Sequence, residues 1–86
     1  MPEISRFFGL LISINYNDHA PPHFHVRYGS QQAAIRVADL ALMAGSLSPR
    51  ALALTVEWAA QHQAELLVDW DLARQGQPLQ PIAPLE

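Results

Sequence analysis

Two alternating runs joined by Gly29-Ser30 constrain this chain more than any other feature. From His23 onward, Phe24, Val26 and Tyr28 share one parity, while His23, His25 and Arg27 share the other. Strand side chains point to opposite faces with period two, so this run reads as a strand with one apolar face. Gly29 at the first central position fits a two-residue type II′ hairpin loop. That loop pairs Tyr28 with Gln31, Val26 with Ala33, Phe24 with Ile35, and His23 with Arg36. Apolar residues then oppose apolar residues, and the other face gathers His23, His25, Arg27, Gln32 and Arg36. A slip of one residue would mix the two faces, so the register is well specified. The histidine and arginine face is expected to point outward.

The segment before this hairpin, Asn17-Asp-His-Ala-Pro-Pro, is made of turn formers. Asx side chains bond the local backbone and proline fixes φ. The isomeric state of the Pro21-Pro22 bond is not set by sequence. Upstream, residues 4–16 read as one strand with Phe8, Leu10, Ile12, Ile14 and Tyr16 toward the core. Gly9 inside it suggests a bulge or a close backbone approach. Residues 40–44 fit a short fourth strand, closed by Gly45-Ser46, although the same residues are also good helix formers.

The C-terminal half is helical in pattern. Ser48 is an N-cap candidate, Pro49 sits at the first helical position, and Leu47 and Leu52 are spaced for a hydrophobic staple. No Gly or Pro follows until Gly76. One long helix is therefore expected to run to about Arg74 or Gln75, or two with a bend near His62. Leu52, Val56, Ala59, Gln63, Leu66, Trp70 and Ala73 recur by fours and threes, which makes one face that Gln63 interrupts. Gly76 is placed to end the helix and Pro78 to prevent its continuation. In the tail, Pro78, Pro81 and Pro84 alternate with Leu79, Ile82 and Leu85 at intervals of three, the period of a polyproline II segment. Its apolar edge either packs on its own domain, the expected case, or docks on another protein. The fold class is therefore α+β in a single domain, residues 1–86. A small antiparallel sheet of three to four strands (1–47) packs against a long C-terminal helix (48–76), followed by a Pro-spaced tail (77–86).

Composition narrows the function classes. Half of the residues are hydrophobic, which suits a globular chain. Cysteine is absent, so disulfides and thiolate metal sites are excluded. The N-terminus lacks the pattern of a secretory signal, and the apolar run Phe7 to Ile14 is too short to span a bilayer. A soluble cytoplasmic protein with no membrane partner is the expectation. Lysine is absent and the formal net charge is −3, which argues against nonspecific nucleic-acid binding by bulk charge. Residues 1–47 balance Arg6, Arg27 and Arg36 against Glu3, Asp18 and Asp39, whereas residues 48–86 set Arg50 and Arg74 against five carboxylates. An anion would prefer the first half and a basic partner the second.

Four segments carry a family resemblance. They are Met1-Pro-Glu-Ile-Ser-Arg-Phe-Phe-Gly, Asn17-Asp-His-Ala-Pro-Pro-His-Phe-His-Val, Glu57-Trp58 with His62, and Trp70 with Gly76-Gln-Pro-Leu. Together they resemble the bacterial domain-of-unknown-function 4160 family, most specifically through the Asp-His-x-Pro-Pro-His-Phe-His run. The resemblance implies a two-protein module in which a chain of this kind is encoded beside a small antitoxin-like partner, some members being classed as type II toxins. It implies no catalytic mechanism. Similar chains often carry Lys in the third strand and the tail; its absence here weakens the case for a broad basic surface.

Three readings of the His segment compete. His23 and His25, two apart on one strand face, could share a divalent metal with His19 from the turn, Asp18 serving as ligand or outer-shell acceptor. Arg27 and Arg36 on the same face oppose that. Alternatively, His23, Arg27 and Arg36 form an anion site, in which His23 and His25 act as acid and base on an RNA phosphodiester and Arg27 stabilises charge. The third reading is structural: Asp18 caps the turn, His19 bonds a carbonyl and His23 packs beneath the helix. His62 is expected on the helix flank between Trp58 and Glu65, and Glu65, Asp69 and Asp71 on a solvated surface. The function expected is that of a toxin-like component with a His/Arg face suited to phosphate or RNA. Its rivals are a small metal- or phosphate-dependent hydrolase acting alone and a non-catalytic protein-binding module. No cofactor is required by the sequence, and the oligomeric state is left open.

Overall fold

A computed structural model describes residues 2–86; Met1 of the first family segment lies outside the described residues. Five antiparallel strands follow one another in space as they do in sequence: β1 (Glu3–Phe7), β2 (Leu10–Ser13), β3 (His23–Tyr28), β4 (Gln31–Arg36) and β5 (Leu42–Ser46). Two helices, α1 (Pro49–Ala60) and α2 (Gln63–Arg74), complete the α+β architecture. The sheet thus has one strand more than the three to four expected, and the expected long helix is divided.

The extra strand comes from a turn inside the run 4–16. Phe8 (φ +49°) and Gly9 (φ +82°) form a two-residue loop, and Phe7 pairs with Leu10 across it. Positive φ at both central residues is the type I′ arrangement. Leu10, Ile12 and Ile14 are buried as expected, but Phe8 and Tyr16 are exposed. Phe7 enters the core in place of Phe8, its ring 5.3 Å from that of Trp58. A bulky residue in the left-handed region is rare, so only Gly9 advertised this turn.

The second hairpin follows its sequence pattern residue for residue. All six pairs from His23–Arg36 to Tyr28–Gln31 are formed, and Gly29 alone in the loop has positive φ. β5 begins two residues later than expected and includes Gly45-Ser46. Gly45 (φ +74°) lies so close to β4 that a Cβ would meet the Gln32 carbonyl oxygen at 2.1 Å. The glycine marks close approach of two strands, not the end of one.

Ser48 caps α1 by accepting from the Ala51 N–H at 3.3 Å, with Pro49 at the first helical position. The chain leaves helical geometry at His62 (φ −132°, ψ 21°) and restarts. Gln63, the residue that breaks the apolar face, donates to the Val37 carbonyl at 2.8 Å and so ties the break to the end of β4. Gly76 (φ +69°) ends α2; its N–H reaches Ala73 O and the Gln77 N–H reaches Leu72 O, the paired bonds of a Schellman cap.

The core lies between helices and sheet. Trp58 is fully buried against Phe7 and Phe24, with Ile12, Ile35, Leu66 and Trp70 around it. Burying a side chain of this size contributes roughly 2–3 kcal/mol or more. The tail packs on its own domain. The Ile82 N–H donates to Ile4 O at 2.8 Å, Trp58 Nε1 donates to Ala83 O at 2.8 Å, and Ile82 is buried. This covers the β1 edge, while every residue of β5 remains exposed. Among the described residues, no helix is long and apolar enough to cross a membrane.

Candidate functional site

The irregular segment between β2 and β3 brings the Asx-rich turn over the start of β3. Its Ala20–Pro21 peptide is cis, and the Val37 N–H holds Pro22 O at 3.0 Å. Within this frame Asp18 reaches both strand histidines. Its Oδ2 lies 2.6 Å from His25 Nε2 and 3.2 Å from His23 Nε2. The two imidazole rings stand 5.1 Å apart at 72°. His23 Nδ1 donates to the Pro21 carbonyl at 2.8 Å, and the Asn15 side-chain amide nitrogen lies 3.3 Å from His25 Nε2. One donor atom from each of Asp18, His23 and His25 lies within 4.8 Å of the others.

Burial differs across the cluster. The His23 residue is 8% exposed and its ring packs 5.2 Å from that of Trp70, so the expected outward position of His23 is not what forms. The turn and α2 close over that end of the strand. His25 and Asp18 stay half-buried and reachable from solvent. His19 is exposed and outside the cluster; the carboxylate of its neighbour takes the third position. A hydrophobic-pattern argument could find the two histidines, because strand spacing is local. The approach of Asp18 depends on how the turn folds back, and no local spacing encodes that.

The arginines flank the cluster without entering it. Arg36 pairs across the hairpin with His23, but its Nε is 3.3 Å from the Asp39 carboxylate. Arg27 is exposed, on the same strand parity as His25. With His25, Ser13, Gln32 and Ala34, it lines a shallow cavity of about 270 Å³. The arrangement therefore offers one anionic oxygen, two imidazole nitrogens, a free guanidinium and a concave surface beside them. Imidazole and carboxylate at hydrogen-bond distance can hold and pass a proton, and the same atoms can bind a cation.

The family model described as Domain of unknown function (DUF4160) matches residues 9–71, well over half of the chain and all of this cluster. The chain belongs to the DUF4160 family. The match omits β1, the last turn of α2 and the Pro-spaced tail, so the membership of this DUF4160 chain rests on β2 to β5, α1 and most of α2. No curated protein matches it, and no solved structure does.

Two further polar groups matter. His62 Nδ1 contacts Glu65 Oε1 at 2.6 Å and its ring lies 5.4 Å from that of Trp58, where sequence placed it. Asp69, expected on a solvated surface, is instead 1% exposed. Its Oδ1 accepts from the Gln80 N–H at 2.8 Å, while Oδ2 is buried with no hydrogen-bond partner. Burial, assisted by the nearby Glu65 charge, pushes its pKa above the ordinary carboxylate range against the opposing effect of the Gln80 N–H. The tail that buries it was not foreseeable from helix periodicity.

Proposed function

We propose that this DUF4160 protein is the toxin-like member of a two-protein bacterial module, and that Asp18, His23 and His25 form the centre through which it acts on an RNA phosphodiester. The observation that carries the chemical half is the convergence of two imidazole Nε2 atoms on one carboxylate oxygen, at 2.6 and 3.2 Å. Hydrolysis of a phosphodiester needs an attacking water that loses a proton, a P–O bond that breaks, and a leaving oxygen that gains a proton. Groups of this kind, half-buried yet reachable, suit those proton movements, and Arg27 beside the cavity suits the phosphate charge. Family membership supports the two-protein half. The small antitoxin-like partner, encoded nearby, would engage the histidine face or the exposed helical surface around Leu67 and Val68. The tail edge is already used by its own core.

One observation favours a structural rival: the burial of His23 against Trp70. Both readings meet the same experiment. The chain is expressed in a bacterial host with and without its genomic neighbour, beside His23→Gln and His25→Gln variants. Growth arrest by the lone wild-type chain, relieved by the neighbour and by either substitution in a folded variant, is expected. Unimpaired growth, or arrest that survives both substitutions, would overturn the proposal.

A further inference from the structure

We infer that Asp18 Oδ2, His23 Nε2 and His25 Nε2 bind a divalent first-row transition ion of the zinc class, leaving a coordination position open to water or a phosphate oxygen. This rests on the reading of the cluster as the chemical centre and reassigns the activation of water from the imidazoles, whose Nε2 atoms become ligands, to the ion they hold.

The hydrogen-bond inventory leads there. The Pro21 carbonyl can only accept, so His23 Nδ1 carries the proton of their 2.8 Å bond. In a neutral ring the other nitrogen, Nε2, then presents its lone pair, and it faces Asp18 Oδ2 at 3.2 Å. His25 Nε2, 2.6 Å from the same carboxylate oxygen, donates to it in the metal-free chain and exposes a lone pair once a cation displaces that proton. Three electron-rich atoms thus converge on one point. Two protonated rings crowded on one carboxylate could satisfy them; so could one cation, without charging either imidazole. Metal-ligating histidines typically donate their second N–H to a carbonyl or carboxylate, which is the role Pro21 O plays for His23.

The spacing agrees. Bonds of ~2.0–2.1 Å in a tetrahedral zinc site place neighbouring ligand atoms roughly 3.3 Å apart. The Asp18–His23 separation of 3.2 Å already fits. The Asp18–His25 separation of 2.6 Å has to open by about 0.7 Å to reach that spacing. Asp18 lies on the irregular segment, where such a shift breaks no strand pairing. Arg36, its Nε turned to within 3.3 Å of the Asp39 carboxylate, does not compete for the point. The ligand set of two nitrogens and one carboxylate selects zinc-class ions over magnesium, which takes oxygen ligands. With one carboxylate the loaded centre carries net positive charge and so favours an anionic substrate. Bound water there becomes a stronger acid, supplying the nucleophile at neutral pH.

The test is titration of the intact, metal-free chain with Zn²⁺ alone, read by the ring nitrogen resonances and by calorimetry, with Mg²⁺ as the contrast. A one-to-one complex is expected, moving the Nε2 signals of His23 and His25 and leaving those of His19 and His62 in place. Mg²⁺ at the same concentration should move none of them. Asp18→Asn should weaken zinc by roughly 10- to 100-fold, and His19→Gln should leave it unchanged. Unmoved Nε2 signals in the folded wild-type protein, or binding that follows His19 or His62, would overturn the inference, whatever the variants do. Arrest of growth lost in His25→Gln but with no zinc binding would sink the metal and spare the phosphodiester reading. Zinc binding by a chain that never impairs growth would do the reverse.

Discussion

Two histidine–carboxylate contacts in this protein have the same length and different meanings. Asp18–His25 and Glu65–His62 both measure 2.6 Å. The second is a pair at a helix junction, three residues apart, with Glu65 half in solvent. The first joins residues from a turn and a strand, and it recruits a second imidazole whose other nitrogen is fixed by a backbone carbonyl. A short contact alone therefore marks no site. What distinguishes a candidate centre is convergence of several groups from different elements, partly shielded from water, with their free atoms aimed at a common point.

The contrast can be broken by substitution. The largest effect is expected at His23. His23→Ala removes the ring against Trp70, the bond to Pro21 O and the contact to Asp18, and should cost about 2–3 kcal/mol of stability in denaturant unfolding. His62→Ala loses one exposed-partner ion pair and a ring contact, and should cost about 1 kcal/mol. Equal losses would mean that the β3 cluster is no more integrated than the helix junction.

The carboxylates sharpen the same comparison on a smaller scale. Asp18→Asn removes the charge shared by two imidazoles and should destabilise by about 1–2 kcal/mol, whereas Glu65→Gln should change stability by less than about 0.5 kcal/mol. A Glu65 effect as large as that of Asp18 would remove the distinction.

A gain in place of a loss is expected at Asp69, which Glu65 also influences. Its folded-state pKa is raised above the unfolded value, chiefly by burial. The stability linked to its protonation is therefore present below the ordinary value of 3.8 and is lost as pH rises through the raised folded value. Asp69→Asn keeps an oxygen for the Gln80 N–H and removes the buried charge, so it should stabilise by up to about 1 kcal/mol at pH 7. That advantage should shrink as pH falls toward 4, measured by paired unfolding curves. A gap that widens on acidification would contradict the sign.

How much was legible follows from the range of the forces involved. Ser48, Pro49 and Gly76 announced the helix ends because caps are settled within a few residues. The β3–β4 register was legible because a two-residue loop and period-two alternation fix it locally. The Phe8-Gly9 turn was not, since nothing local places Phe8 at positive φ; seating Phe7 beside Trp58, from the other half of the chain, offsets that cost. The family, too, was readable from the histidine run and is borne out over residues 9–71.

From its residues alone, the chain set its α+β class, its best hairpin, its helix caps and the presence of two histidines on one strand parity. Tertiary structure decided that Asp18 rather than His19 meets those histidines, that Trp70 shelters His23, and that the tail buries Asp69 and covers β1. The reason is physical. Periodicity and turn chemistry act between neighbours, whereas burial and the meeting of distant polar groups depend on which surfaces the whole chain must hide from water.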